Sequence, residues 1–328
     1  MTVASPQSRP HQSTVVIIVN FNAGDLLRRC IESLNTQSLK PKECIIVDNQ
    51  SETHPLSGQE IWLKNVKIHH AARNLGFAAA NNLGADLASE SVWLAFLNPD
   101  AYAEPDWLSS LHEAALANPE VACFASRQIS AQQPSLLDGA GDSLTWGGRP
   151  FRRGFGKNLS NSPRDYQEVF SACGAAMLIR RDVFDQAGGF DEDFFCYLED
   201  VDLGFRLRLQ DHRCLYVPKA TIHHESSALT GRKSRFSSYY GHRNMIWLYL
   251  KNMPQPLLWV FLPLHLFETC LGFMRCSLRG QGGLFIRAKW DALKGLRRTL
   301  KKRKLIQSSR TVSAWSILIA LSHEFSNH

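Results

Sequence analysis

The feature that most constrains this chain is an alternation of apolar and amphipathic runs over roughly its first two hundred residues. "TVVIIVN" (14–20), "ECIIVDN" (43–49), "VKIHHA" (66–71) and "VWLAFLN" (92–98) read as strands, rich in β-branched and aromatic residues. Between them, "LLRRCIESLNTQ" (26–37), "GFAAANNLGADLAS" (76–89) and "PDWLSSLHEAALAN" (105–118) have helical spacing. Apolar strands separated by helices predict an α/β fold with a doubly wound, mostly parallel sheet. In such sheets a ligand lies outside the carboxyl ends of the strands. Asn20 to Asn22, Asp48 and Asn49, and Asn98 to Asp100 all fall at those ends. They predict one shared site rather than three unrelated turns.

Composition narrows the class. With 328 residues and 44% hydrophobic content, the chain can bury one large core or two modest ones. The eight cysteines form no CxxC pair and "MTVASPQSRPHQS" has no apolar signal core, so a reducing cytoplasm is expected. The net charge of +7 is uneven: residues 275–310 carry twelve Lys or Arg against one acid, Asp291. The basic character belongs to the tail and needs its own explanation.

No GxGxxG follows the first strand and no GxxxxGK[ST] occurs, which argues against a dinucleotide enzyme and a P-loop phosphotransferase. A nucleotide would have to be held by carboxylates and amides. Asp48 suits the N–H of a pyrimidine base or a ribose hydroxyl. Asp100 is open to two readings, a Pro-Asp turn or a ligand to a divalent cation that also binds diphosphate oxygens. Arg73 and Asn74 precede Gly76, where backbone at a helix start can approach a ligand, although Gly76 also serves as a plain helix entry.

"VIIVNFNAGDLLRRCIESL", "IIVDNQS", "NLGFAAANN", "FLNPDA" and "GGFDEDFFCYLEDVDLGFRL", in this order and spacing, resemble the family 2 glycosyltransferases of GT-A fold, rhamnosyltransferase-like branch. The likeness covers roughly residues 14–250. It implies an inverting transfer from a nucleotide-diphosphate sugar aided by a divalent metal, Mg2+ or Mn2+. It further implies Asn22 and Asp48 at the nucleotide, Asn74 and Gly76 beside it, Asp100 at the metal and diphosphate, and Asp200 as base. Asn20, Arg73, Asn98 and Gly174 complete the expected donor-binding set, and Glu199 is a second catalytic candidate. The usual Asp-x-Asp metal motif appears here as Asn98-Pro99-Asp100, one carboxylate fewer.

"SACGAAMLIRRDVFDQAGGFDEDFF" (171–195) offers small residues around Gly174, a strand-like run and a helix closed by Gly188 and Gly189, which suits the floor of an acceptor pocket. Glu199, Asp200 and Asp202 then stand at a helix amino terminus, where the dipole favours carboxylates; Asp202 is spaced to pair with Arg206. His223 and His224 alternate faces in extended chain, so at most one enters the site. His224 matches the family position near diphosphate and metal. Arg243 and Asn244, in "YYGHRNMIWLYLKNMP" (239–254), are open to phosphate contact or to helix packing.

Beyond residue 254 the resemblance thins. "PLLWVFLPLHLFETCLGFM" (256–274) is apolar but interrupted by Pro263, His265 and Glu268, which favours a helix lying in a membrane interface. "LFIRAKWDALKGLRRTLKKRK" (284–304) spaces Ile286, Trp290, Leu293, Leu296 and Leu300 helically among cations, the pattern of a basic helix on anionic lipid. The alternative is a helix packed on the core through that Leu face. The cations alternate with an apolar stripe and no reading motif is recognised, so no nucleic-acid partner is expected.

The expected organisation is a disordered 1–13, a Rossmann-like nucleotide half (14–125), an acceptor half (126–254) and a helical, basic membrane-associating extension (255–328). The expected function is transfer of a sugar, first choice L-rhamnose from dTDP-rhamnose, to a polyprenyl-linked or cell-surface glycan acceptor at the inner face of the cytoplasmic membrane. The competing reading is a non-catalytic nucleotide-sugar or nucleic-acid binding protein on the same fold.

Overall fold

A computed structural model describes residues 13–54, 56, 65–88, 90–226, 231 and 234–322. The amino-terminal stretch expected to be disordered therefore falls, through residue 12, outside the described residues. The first half alternates as the sequence implies: β1 (Thr14–Asn20), α1 (Asp25–Asn35), β2 (Glu43–Asp48), β3 (Val66–His70), α2 (Gly76–Leu87), β4 (Trp93–Leu97), a short β5 (Ala101–Ala103) and α3 (Trp107–Ala117). β6 (Cys123–Ser130), β7 (Leu137–Gly139), β8 (Asp142–Leu144), β9 (Pro150–Arg152), β10 (Gln167–Val169) and β11 (Ala176–Arg180) follow, then α4 (Arg181–Gln186), α5 (Glu199–Leu209) and β12 (Cys214–His224). Six helices close the described chain: α6 (Arg235–Asn252), α7 (Leu257–Val260), α8 (Leu262–Ser277), α9 (Gly282–Lys294), α10 (Leu296–Ser308) and α11 (Ala314–Ser322).

The main sheet runs β10-β12-β6-β11-β4-β1-β2-β3, with β5 on β12 and β7 on β6. β3, β2, β1 and β4 are mutually parallel, and β12 is parallel to β6. β11 enters antiparallel between β4 and β6. Strand order reverses at β1, between β2 and β4, and this is the point where open α/β sheets bind ligands. Alternate residues of β1 explain why both faces are covered. Val15, Ile17 and Val19 pack with Ala78, Ala80 and Phe184 on one face. Val16 and Ile18 pack with Leu27, Ile31 and Leu111 on the other. Each Val, Ile, Leu or Phe side chain among them contributes about 1.5–3 kcal/mol on full burial.

The boundary expected at 125/126 lies inside β6, so the nucleotide and acceptor halves share one continuous sheet. The carboxyl-terminal helices are likewise continuous with the catalytic half. Trp247, Leu248, Ala292, Ile317 and Leu321 form one buried cluster with Phe194, Val201 and Phe205. The helix expected over 284–304 is divided at Gly295, where a Cβ would stand 2.5 Å from the Trp247 ring. Its packing face is Phe285, Ala288, Ala292 and Thr299, whereas Ile286, Trp290, Leu293 and Leu300 stay exposed. The alternative of packing through the Leu face is thus overturned: Phe285 and the small residues turn inward, and Leu293 and Leu300 do not.

Buried charge fastens these helices to the core. Lys251 of α6, 1% exposed, lies between Asp191 and Asp202, 2.7 Å from Asp202 Oδ1. Lys302 of α10 adds a second cation to Asp191 and lies 2.7 Å from Asp193 Oδ2. Removing one partner of a buried ion pair strands the other, at a cost of about 3–5 kcal/mol. Lys251→Met is expected to lose about 3 kcal/mol of stability on that scale in guanidinium unfolding. A loss under about 1 kcal/mol would place the clamp among ordinary surface substitutions.

Candidate active site

Parallel register sets Asn20 of β1 opposite Asp48 of β2, and Asp48 opposite His70 of β3, along the carboxyl edge of the sheet. Asn20 Nδ2 donates to Asp48 Oδ1 at 2.9 Å and to Ser51 Oγ at 3.0 Å, and His70 Nδ1 lies 3.2 Å from Asp48 Oδ2. Asn22, at φ 54°, accepts the N–H groups of Glu52 and Thr53 at 2.8 and 2.9 Å. Asn49 Nδ2 donates to Asn74 Oδ1 at 3.0 Å, and Asn49 Oδ1 accepts the Leu75 N–H at 2.8 Å. These amides staple the loops after β1, β2 and β3 into one rim. Arg73 stands exposed on it, with no ion-pair partner among the described residues.

Gly76 has a reason in the fold itself. At φ 80°, a Cβ there would lie 2.5 Å from the Phe195 carbonyl oxygen. The small residue admits the Phe195 segment that leads to α5, a reason besides the ligand approach and the helix entry that the sequence left open.

The turn reading of Asp100 is met in the fold. The Ala101 N–H closes a turn on the Asn98 carbonyl at 3.1 Å, with Pro99 and Asp100 at its centre. β5 then pairs with β12 so that Ala101 faces His224. This brings buried Asp100 Oδ1 to 3.3 Å from His224 Nε2, out of line for a hydrogen bond, and leaves Nε2 buried without one. The other ring nitrogen, Nδ1, is 2.8 Å from Asp138 Oδ2, and Asp138 in turn accepts from Arg152 Nη1 at 2.7 Å. His223 turns to the opposite face, 3.1 Å from Glu104.

Burial works against a charged His224, but the Asp100 and Asp138 carboxylates outweigh it and hold the imidazole up at about 9. Asp138 is also opposed by burial, yet the His224 hydrogen bond and the Arg152 charge hold it down at about 2. A carboxylate oxygen beside an imidazole nitrogen that has no hydrogen bond, with a carboxylate fixing the far ring nitrogen, could hold a divalent cation. Such a cation would compete with the Nε2 proton.

The segment that carries Asp200 is built by strain. Phe195, Tyr197 and Leu198 have φ of 63°, 70° and 69°, unusual for residues with side chains, immediately before α5. Asn244 holds them there: its buried Nδ2 donates to the carbonyls of Phe194, Cys196 and Tyr197 at 2.8–2.9 Å. Asn244 is therefore the packing member of its pair. Asp200, delivered by this segment, accepts the Gly174 N–H on Oδ2 and the Val201 N–H on Oδ1, both at 2.8 Å. Burial, and then the neighbouring charge of Asp200, push Glu199 well above the usual carboxylate range. Asp202 is fully buried, paired with Arg206 at 2.9 Å and bonded to Asn252 at 2.7 Å, a structural role.

Ligand atoms of Asp142, Cys173 and Asp200 also cluster within 4.8 Å. The Arg152 guanidinium already supplies a cation there, 3.1 Å from Cys173 Sγ and 3.7 Å from Asp142, and burial pushes the Cys173 thiol up. Sequence reasoning missed Asp138, Arg152 and His70. Asp138 and Arg152 both lie in 138–156: the pairing of β7 with β6, and of β6 with β12, brings Asp138 to His224, and the β8–β9 hairpin brings Arg152 to Asp138.

Comparisons with known proteins give the family and the fold. Residues 15–188 match Glycosyl transferase family 2, and residues 109–320 match Glycosyl transferase family group 2. The chain is 28% identical to an N-acetylglucosaminyl-diphospho-decaprenol L-rhamnosyltransferase of Mycobacterium tuberculosis, over 88% of this chain and 96% of that protein. It is 26% identical to the rhamnosyltransferase WbbL of Escherichia coli K12, over 62% of this chain and 80% of that one. Among solved structures, GalNAc-T7 with UDP, GalNAc and Mn2+ is similar at TM-score 0.61 and 16% identity, covering 74% of this chain and 48% of that one. A mannosyltransferase of Pyrobaculum calidifontis with GDP-Man and Mn2+ is similar at TM-score 0.52 and 13% identity, over 94% and 87%. The chain belongs to the family 2 glycosyltransferases, in the rhamnosyltransferase-like branch, and has the GT-A fold.

The Asp138 contact is testable through metal affinity. Asp138→Asn should weaken Mn2+ binding, measured by electron paramagnetic resonance with a nucleoside diphosphate present, by about 10–100-fold, the usual scale for losing the carboxylate behind a metal-binding histidine. Unchanged affinity would detach Asp138 from metal binding.

Proposed function

We propose that this glycosyltransferase moves a sugar with inversion from a nucleotide-diphosphate donor, dTDP-L-rhamnose as first choice, to a polyprenyl-linked or cell-surface glycan. The names of the relatives support the sugar and the lipid-linked acceptor. One connection carries the reaction chemistry. The Asn98 N–H binds the Ala175 carbonyl at 2.9 Å, and the adjacent Gly174 N–H binds Asp200, so the turn holding Asp100 and the carboxylate of Asp200 are two bonds apart across one floor.

Asp48 and its amide neighbours would hold the base or ribose, and Arg73, Asn74 and Asn98 the phosphates and sugar. Asp100 and His224 would hold Mg2+ or Mn2+, which supplies positive charge against the departing diphosphate when bound. Asp200 takes the proton from the acceptor hydroxyl as its oxygen bonds to the anomeric carbon and the bond to the diphosphate oxygen breaks. Glu199 is buried whereas Asp200 is only half-buried, so Asp200 is the carboxylate that an acceptor hydroxyl can reach.

Asp200→Asn should lower single-turnover transfer by roughly 10²-fold or more, the scale of a lost general base, with donor affinity nearly unchanged. Asp48→Ala should instead raise the donor KM more than it lowers turnover, because base contacts act equally in ground and transition states. Transfer by Asp200→Asn alongside a dead Glu199→Gln would move the base to Glu199.

We further propose that α7 to α10 rest on an anionic membrane at its cytoplasmic face. No helix among the described residues is long and apolar enough to cross a membrane. Trp259, Leu266, Phe267, Leu278, Ile286 and Trp290 are nonetheless exposed beside the tail's cations, which is a pattern of surface binding. The full chain should pellet with phosphatidylglycerol vesicles, and less so as salt screens the charge over ~8 Å. No pelleting at low salt would remove the membrane from the proposal.

A further inference from the structure

Away from the carboxyl edge of the sheet, α6, α9 and α10 enclose a groove of about 660 Å³ whose lining is strongly basic. Arg243, Lys294, Arg297, Arg298 and Lys301 face it, against a single carboxylate, Asp291. Arg298 is engaged by Asp193 at 2.6 Å and Lys294 by Asp291 at 3.1 Å. Arg297 and Lys301 are exposed and have no ion-pair partner among the described residues. Clustered cations repel one another, and two left unpaired in a groove ask for an anion. The groove has an aromatic wall, since Trp247 lines it and the Arg243 guanidinium lies 4.4 Å from its ring. Exposed Trp290 and Leu293 stand on the same helix as Lys294, so an apolar chain has a place to leave the groove.

The groove is joined to the catalytic segment. Arg243 Nη2 donates to the carbonyls of Asp193 and Phe194 at 3.0 and 2.8 Å, a few residues before Glu199 and Asp200. We infer that this groove binds the diphosphate of a prenyl-diphosphate-linked acceptor, holding its first sugar toward Asp200 while the prenyl chain exits past Trp290. The inference rests on the lipid-linked acceptor proposed above. Two adjacent phosphates match the excess of cations, and guanidinium forks suit phosphate oxygens.

The test uses the full chain, with the donor site saturated by a nucleoside diphosphate, and soluble farnesyl diphosphate as probe. The double variant Arg297→Gln/Lys301→Gln changes exposed residues only, and circular dichroism checks that it folds. It should bind farnesyl diphosphate about tenfold more weakly, as expected for losing charge-assisted bonds. The KM for a prenyl-diphosphate-linked acceptor should rise in step, with the donor KM unchanged. Unaltered farnesyl diphosphate affinity overturns the inference. So does a loss confined to phosphatidylglycerol vesicles, which would make the groove a bilayer contact, or equal binding of inorganic pyrophosphate, which would make it a free-phosphate site. If the variant loses the probe but the wild-type chain transfers sugar to no prenyl-linked acceptor, the groove stands and the acceptor reading falls. If transfer to that acceptor occurs with equal KM in both, the reverse holds.

Discussion

The buried ammonium of Lys251 is the constraint on which much of this molecule depends. A cation taken out of water must be met by charge, and here Asp191 and Asp202 meet it from opposite sides. Asp191 precedes the short turn Glu192–Phe194, and Asp202 lies in the first turn of α5. One side chain of α6 therefore fixes both ends of the segment that carries Glu199 and Asp200. Lys302 and Arg298 extend the same clamp to α10, so the basic tail is in part an internal counterion rather than a free arm.

Between those two fixed ends the backbone is strained. Three residues with side chains take left-handed conformations, each costing of order 1–3 kcal/mol, and such segments persist only where their surroundings over-determine them. Asn244 and the clamp supply that, and Gly76 clears space for Phe195. The outcome is a carboxylate at Asp200 whose direction is set by the Gly174 N–H rather than by rotamer choice. At the other end, the β5–β12 register does the same for Asp100 and His224. Both of the proposed reactive ends are aimed by backbone, which suits a reaction dependent on positioning.

Local signals made much of this legible. The apolar runs of β1, β2 and β4 are continuous because both faces are covered, and their polar carboxyl ends announced the edge where Asn20, Asp48 and Asp100 gather. The i, i+4 spacing of Asp202 and Arg206 was readable for the same reason. Features set by long-range pairing were not. Asp138 becomes the partner of His224 only through β7, β6 and β12, and Arg152 only through the turn that folds β9 onto β8. The break at Gly295 comes from a tryptophan on another helix, so the periodicity of 284–304 gave no sign of it. Asn244 read equally as packing or phosphate contact, because its three carbonyl partners lie 47–50 residues away in sequence.

The central claim is that the sheet's carboxyl edge holds the donor, with its cation between Asp100 and His224. Crystals grown with dTDP and Mn2+ test it most directly through the anomalous signal of manganese. The expected result is one strong peak within coordinating distance of Asp100 and His224 Nε2, with the nucleotide base beside Asp48. A peak at the Asp142, Cys173 and Asp200 cluster, or a nucleotide away from Asp48, would contradict it.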